Sequence, residues 1–282
     1  MRFSFFGRRH SSVWRATSNE ALRVRRLALQ RLEARDAPSI TSLGNEFRVN
    51  TYTTDAQDLP AVAMDQAGDF VKTWESNGQD GDVYGVYAQR YNAAGVAQSG
   101  EFRVNTYTTS EQSVPSVAMD DAGDFVIAWQ SVQDGSGFGV YAQRYNAAGI
   151  AQGGEFRVNT FTFSAQSFPT VAMDQTGDFV VAWQSVLEDG SGYGVYARPF
   201  NANGIPLGGE VRVNSYTTSS QMYPSAAMDQ AGNFVIAWTS YGQDGSAGGV
   251  YAQRFNSAGT PQGGEFRVNT YTTGSQQSIC RD

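Results

Sequence analysis

Cysteine and histidine are almost missing from this 282-residue chain, which holds one of each, Cys280 and His10. A single cysteine excludes an internal disulfide framework and any cysteine-rich zinc site, and a single histidine leaves the common hydrolytic triads almost nothing to work with. Charge is sparse as well, at 17% Asp, Glu, Lys and Arg, and prolines number 8, so neither a polyampholyte linker nor a collagen-like chain fits. No apolar run reaches the ~18 residues of a membrane-spanning helix. What the chain does have is 31 glycines, 40% hydrophobic residues and 13% aromatics, enough for a medium domain or a repeat array with a real core.

The net charge of −7 hides an asymmetry. Residues 1–43 carry nine arginines against Glu20, Glu33 and Asp36, about +6, which leaves about −13 for the remainder. Arg23, Arg25, Arg26, Arg31 and Arg35 are interleaved with Leu22, Val24, Leu27, Leu29 and Leu32, and Thr17 and Glu20 form a capping box, so a short basic helix is expected over about 18–34. Arginine interrupts every apolar stretch long enough for a conventional secretory signal. The segment from Arg25 through Leu32-Glu33-Ala34-Arg35 to Pro38-Ser39 resembles the short N-terminal export segment of planctomycete-type bacterial surface proteins. That resemblance implies a secreted or cell-surface protein. The alternative is an ordinary basic helix touching nucleic acid or anionic lipid, and the acidic remainder argues against nucleic acid as a partner.

From residue 44 the chain is one unit written repeatedly. Glu-Phe-Arg-Val-Asn starts at Glu46, Glu101, Glu155 and Glu265, with Val211 replacing Phe in the copy at Glu210, and the spacings are 55, 54, 55 and 55. Between these marks recur a proline (Pro60, Pro115, Pro169, Pro224), an Ala-Met-Asp, a glycine and a tryptophan (Trp74, Trp129, Trp183, Trp238). Heptads are absent, and glycine and asparagine punctuate the unit too often for long helices. The second unit predicts four strands: Val114–Met119; Phe125–Trp129, apolar on both faces; Val140–Tyr145; and Glu155–Thr162. The first two join through a tight turn at Asp120–Gly123, and Asp134-Gly135 and Asn146–Gly149 provide the other turns.

Four antiparallel strands per ~55 residues, without intervening helices, is the arithmetic of a propeller blade. The expected fold is therefore all-β: tandem four-stranded antiparallel blades forming a β-propeller or an open propeller-like array, with a short N-terminal basic helix. An array of small β-sandwich or solenoid repeats is the alternative. The string Pro115, Ala118, Asp120, Gly123 and Trp129 resembles the hairpin between the first two strands of sialidase-like propeller blades, with one extra residue before the glycine and a longer run to the tryptophan than the sialidase Asp-box. The expected organisation is an export or anchor segment over 1–43, four repeats plus one surplus strand over 44–273, and a divergent tail over 274–282, as in a fragment of a longer array. Tryptophans on the most apolar strand are expected in the core.

Candidate sites are few. Asp65, Asp69, Asp120, Asp124, Asp174, Asp178 and Asp229 lie in the first hairpin turns and could offer oxygen to calcium, the only cofactor this pattern suggests; Asx turns explain the same residues. Tyr87, Tyr141, Tyr196 and Tyr251 recur on a more polar strand and are candidates for ligand binding. Arg48, Arg103, Arg157, Arg212 and Arg267 raise the question of an acidic sugar, but they are merely periodic. An enzyme should break its repeat symmetry at polar positions facing one mouth. The deviations are Lys72, Glu75, Glu188 and Arg198-Pro199, and the first two read as drift in a terminal unit. The function expected is a non-catalytic, exported binding or adhesion scaffold for carbohydrate, for protein or for itself. The alternatives are a sialidase-like glycoside hydrolase and a calcium-stabilised envelope array.

Overall fold

The computed structural model describes residues 45–276; the helix expected at 18–34 and the chain from 277 onward lie outside the described residues. The described chain is all strand and turn. The first sheet contains β1 (Gln57–Met64), β2 (Phe70–Asn77), β3 (Tyr84–Tyr91) and β4 (Phe102–Arg103), and the second β5 (Gln112–Met119), β6 (Phe125–Ser131), β7 (Gly139–Tyr145) and β8 (Phe156–Arg157). The third contains β9 (Gln166–Met173), β10 (Phe179–Val186), β11 (Tyr193–Phe200) and β12 (Val211–Arg212), and the fourth β13 (Gln221–Met228), β14 (Phe234–Tyr241), β15 (Gly248–Phe255) and β16 (Phe266–Arg267). Each sheet is antiparallel in simple sequence order, the pattern of a propeller blade. No helix of the described residues is long and apolar enough to cross a membrane.

Local chemistry explains the hairpins. In the second blade Asp120 N donates to Asp124 O at 2.9 Å and Gly123 takes φ +84°, a left-handed conformation that glycine adopts without steric cost. The first strand differs from expectation: it begins two residues earlier, and its proline sits at a bulge instead of at the strand start. Leu59, Val114, Phe168 and Tyr223 have φ of 47°, 53°, 54° and 57°, and the pairing register slips there in every blade. Proline follows each of them, where the interrupted ladder asks for no donor. The fourth strand is also shorter than expected, only Phe156–Arg157 in the second blade. Asn159 ends it by replacing backbone with side chain: its Oδ1 accepts Val140 N at 2.8 Å, and its Nδ2 donates to Phe161 O and to Gln166 Oε1.

The cores lie between blades and not within them. Val126, Ala128, Val140, Ala142 and Val158 of the second blade pack onward against Phe179, Val181, Trp183 and Phe200 of the third. The same arrangement joins the first blade to the second and the third to the fourth. Trp129, Trp183 and Trp238 are fully buried and Trp74 is 4% exposed. The strands β1, β5, β9 and β13 neighbour one another from blade to blade, which makes them the inner strands.

The surplus Glu-Phe-Arg-Val-Asn copy at residue 46 stands in front of the first blade. Phe47 lies 5.3 Å from the Tyr91 ring, as Phe102 lies 5.3 Å from that of Tyr145. Tyr91 Oη donates to Val49 O at 3.1 Å. The segment thus takes the place that the outer strand of a preceding blade would occupy.

Candidate functional site

The turn acids are engaged by backbone amides. Asp65 Oδ1 accepts Asp69 N, Asp120 Oδ1 accepts Ala122 N and Asp124 N, Asp174 Oδ1 accepts Thr176 N and Asp178 N, and Asp229 Oδ1 accepts Ala231 N and Asn233 N. Asp69, Asp124 and Asp178 each reach the next turn, accepting the amides of Ala93, Ala147 and Ala202. These bonds tie the two hairpin turns at one edge of a blade to each other. Among the described residues no group of three or more His, Cys, Asp or Glu side chains is arranged to hold a metal ion.

Tyr87, Tyr141, Tyr196 and Tyr251 pair directly across the ladder from the four tryptophans and are at most 7% exposed. Three of them belong to the inter-blade cores, so they offer little surface to a ligand. Burial is the main reason that their hydroxyls titrate high, Tyr87 being pushed up to about 12. The periodic arginines are exposed; Arg103 and Arg212 turn back to donate to Asn105 O and Asn214 O on their own strands. They form no cluster that could clamp an acid.

The ladder between the first two strands of each blade holds a different set. In the second blade Gln130 Nε2 donates to Ser113 Oγ at 3.0 Å across the ladder, and in the third Gln184 Nε2 donates to Ser167 Oγ at 3.3 Å. In the first blade the same facing positions are Glu75 and Asp58. Two carboxyls thus replace an amide and a hydroxyl, and Glu111 stands where the other units have Ala56, Ala165 and Ser220. Facing acids destabilise a ladder, so the substitution costs stability that the repeat elsewhere avoids.

Glu75 is 7% exposed, and burial first, then the charges of Glu111 and Asp58, raise its pKa above the usual carboxylate value. One of its oxygens accepts Val114 N at 2.9 Å, opposing that rise and holding the adjacent bulge, just as Gln130 Oε1 accepts Phe168 N and Gln184 Oε1 accepts Tyr223 N. Glu75 accepts no further hydrogen bond among the described residues. Asp58 is exposed and Glu111 half-buried, with Ser113 Oγ donating to Glu111 Oε1 at 2.6 Å. The arrangement combines a desolvated carboxyl that holds its proton to higher pH with an exposed carboxyl, Asp58, and a half-buried one, Glu111, a division of roles suited to acid–base chemistry. Glu75 is visible in the sequence as a deviation. Asp58 and Glu111 join it only once the ladder register and the contact between inner strands are known. Lys72 points to the other face of β2, away from this group.

Solved structures resemble this fold. A Hadza microbial sialidase superposes with a TM-score of 0.51 at 12% identity, over 77% of this chain and 47% of its own. An α-L-arabinofuranosidase of Fusarium graminearum, solved with an iminosugar inhibitor, superposes with a TM-score of 0.53 at 8% identity, over 74% of this chain and 65% of its own. This chain thus spans about half the length of the first and under two thirds of the second. No protein-family model matches the chain, and no curated protein does. At these identities the likeness concerns the fold. It overturns the expectation that the chain is not an enzyme as far as that rested on the fold, because solved structures of similar fold include a sialidase and an arabinofuranosidase. Repeat symmetry is the ground for that expectation, and a fold by itself neither gives nor excludes an activity.

Proposed function

We propose that the chain is a glycoside hydrolase of sialidase-like form, acting at the acids gathered on β1, on β2 and just before β5 in its first two blades. The observation that carries this reading is that Asp58, Glu75 and Glu111, at three positions where the repeat elsewhere has no acid, are brought together by β1, β2 and the start of β5. Glu75 would give its proton to the glycosidic oxygen as the bond from that oxygen to the sugar breaks. Asp58, across the ladder and open to water, would stabilise the positive charge developing on the sugar or take the proton from the attacking water. The similar solved structures support a sugar as the substrate class. Export to the cell exterior belongs to the same proposal and is supported by the resemblance of residues 25–39 to a bacterial export segment.

The test is release of chromophore from a panel of aryl glycosides that includes a sialoside, an arabinofuranoside and a xyloside. The wild-type chain is expected to release chromophore from at least one, and Glu75→Gln to lose about 100-fold or more of that rate, the usual contribution of a general acid. Glutamine already holds the equivalent amide in two other blades, so the fold should survive the change. A wild-type chain inert on every glycoside, or a fully active Glu75→Gln, would refute the proposal.

A further inference from the structure

A row of side chains leads away from the acids of the first two blades. Glu75 accepts the amide of Val114, Gln130 that of Phe168 and Gln184 that of Tyr223, at 2.9, 3.1 and 3.1 Å. The same contact thus seats the bulge of each inner strand against the blade before it, and Leu59 takes the same left-handed conformation in the first blade. Leu59, Val114, Phe168 and Tyr223 therefore stand in sequence at one end of β1, β5, β9 and β13, which neighbour one another, and all four are half-buried.

The row changes character along its length. It is aliphatic beside the acids, at Leu59 and Val114, and aromatic beyond them, at Phe168 and Tyr223, whose rings meet edge to face at 5.4 Å and 89°. Phe163, in the connection that enters β9, adds a third ring at this end. It meets Phe161 edge-on at 6.4 Å and is 68% exposed, where the other units have Thr54, Thr109 and Thr218. A sugar ring has an apolar face of C–H bonds, and aromatic rings partly open to water are the surface that receives it.

Charge narrows the kind of sugar. Past the acids the row is flanked by uncharged groups, Gln130 and Gln184 standing where Glu75 does and Ser113 and Ser167 where Asp58 does. The connections at this end, 50–56, 105–111, 159–165 and 214–220 before the inner strands and 78–83, 132–138, 187–192 and 242–247 after the second strands, hold no lysine or arginine. Arg103 shares a rung with Tyr87 and Trp74, on the opposite face of the sheet from Glu75. Arg90 is on the same face as Glu75 but opposite Val71, four residues and about 13 Å along β2. A carboxylated sugar would meet the acids with no cation in these connections to receive it.

We propose that the substrate is an uncharged oligosaccharide whose chain runs from the acids onto Phe168 and Tyr223, with Phe163 at the edge of its path, and that sugars bearing a carboxylate are excluded. This rests on the hydrolase reading of Asp58, Glu75 and Glu111, and adds the residues that hold the rest of the chain. Sheets packed face to face lie about 10 Å apart, so a single sugar at the acids leaves the aromatic pair untouched while a chain of sugars reaches it.

The experiment is calorimetric titration of Glu75→Gln, which should hold substrate without turning it over. The probes are neutral oligosaccharides from xylan, arabinan, cellulose and mannan, and a sialylated oligosaccharide. At least one neutral probe should bind, and the sialylated one at least about 10-fold more weakly. In the same background Phe168→Leu and Tyr223→Leu write in the residue of the first blade, and Phe163→Thr that of the other units, so the fold should be kept. Each should weaken the neutral probe by about 5- to 10-fold, whereas Phe168→Tyr and Tyr223→Phe, which keep a ring, should stay within about 2-fold of the parent. Leucine variants that bind like the parent, a sialylated probe that binds as well as the neutral ones, or no binding of any probe would each overturn the proposal. Hydrolysis of aryl glycosides by wild type is read separately. Turnover with ring-independent binding leaves the hydrolase reading standing and this proposal fallen; ring-dependent binding in a chain inert on every glycoside upholds the oligosaccharide site and removes the hydrolase reading.

Discussion

The carboxyl of Glu188 stands beside the carboxyl of Glu210 at the joint between the second and third blades. The other blades close this joint with an amide: Gln79, Gln133 and Gln243 donate to Glu101, Glu155 and Glu265. Those glutamates also accept the backbone amide and hydroxyl of Thr51, Thr106 and Ser215, and Glu210 accepts both from Thr160 at 2.6 and 2.7 Å. Glu188 Oε2 and Glu210 Oε1 are buried and no side chain or backbone donor reaches them, so a proton shared between the two carboxyls would satisfy both.

Desolvation first, then the neighbouring carboxyl of Glu210, pushes Glu188 up to about 8 from 4.5. A carboxyl whose pKa is raised by folding binds more protons in the folded state, so its stabilising contribution is complete below 4.5 and is lost as pH rises to about 8. Glu188→Gln restores the amide joint and should remove that slope. Discounted for a carboxyl still partly open to water, the gain at pH 8 is about 1–2 kcal/mol, a rise of a few degrees in Tm. Thermal melts of both proteins at pH 5 and pH 8 check this: the variant should gain at pH 8 and little or nothing at pH 5.

Asn159 supports three connections at once, two buried, to Val140 N and Gln166 Oε1, and one partly buried, to Phe161 O. Asn159→Ala leaves those groups without their partner and should cost about 2–4 kcal/mol, measured by urea unfolding. Ser113→Ala at the Gln130 bond is the milder comparison and should cost about 1 kcal/mol.

Trp183 is fully buried, yet its indole N–H has no acceptor, and the same is true of Trp74, Trp129 and Trp238. The ring is retained for its volume. Trp183→Ala should therefore cost about 3–5 kcal/mol through the cavity it leaves, while Trp183→Phe, which gives up an unpaired N–H along with some volume, should cost less than half as much. Chemical denaturation of the two variants separates the terms.

The blades are legible in the sequence because their signals are local. The Asp-x-x-Gly turns, the doubly apolar Phe125–Trp129 run and the buried tryptophans follow from turn chemistry and pattern. The fourth strand is shorter than its alternation suggests because Asn159 substitutes a side chain for the ladder, and residue type alone does not announce that choice. The bulges at Val114, Phe168 and Tyr223 are hidden from the sequence because bulky residues in left-handed conformations are held there by tertiary hydrogen bonds and not by propensity. Glu75 stands out as an irregularity, but Lys72, three residues away, makes it resemble the loosening of a terminal repeat. Its alliance with Asp58 and Glu111 depends on cross-strand register and on the meeting of two blades, and both are properties of the fold.

If the repeat is the frame and its broken positions are the chemistry, the most direct measurement is glycoside hydrolysis by a triple variant, Asp58→Ser, Glu75→Gln and Glu111→Ala, which writes the residues of the third blade into the first two. Removal of facing acids should leave this protein at least as thermally stable as wild type and without detectable turnover. A triple variant that folds and still cleaves the substrate of the wild type would contradict that view of the site.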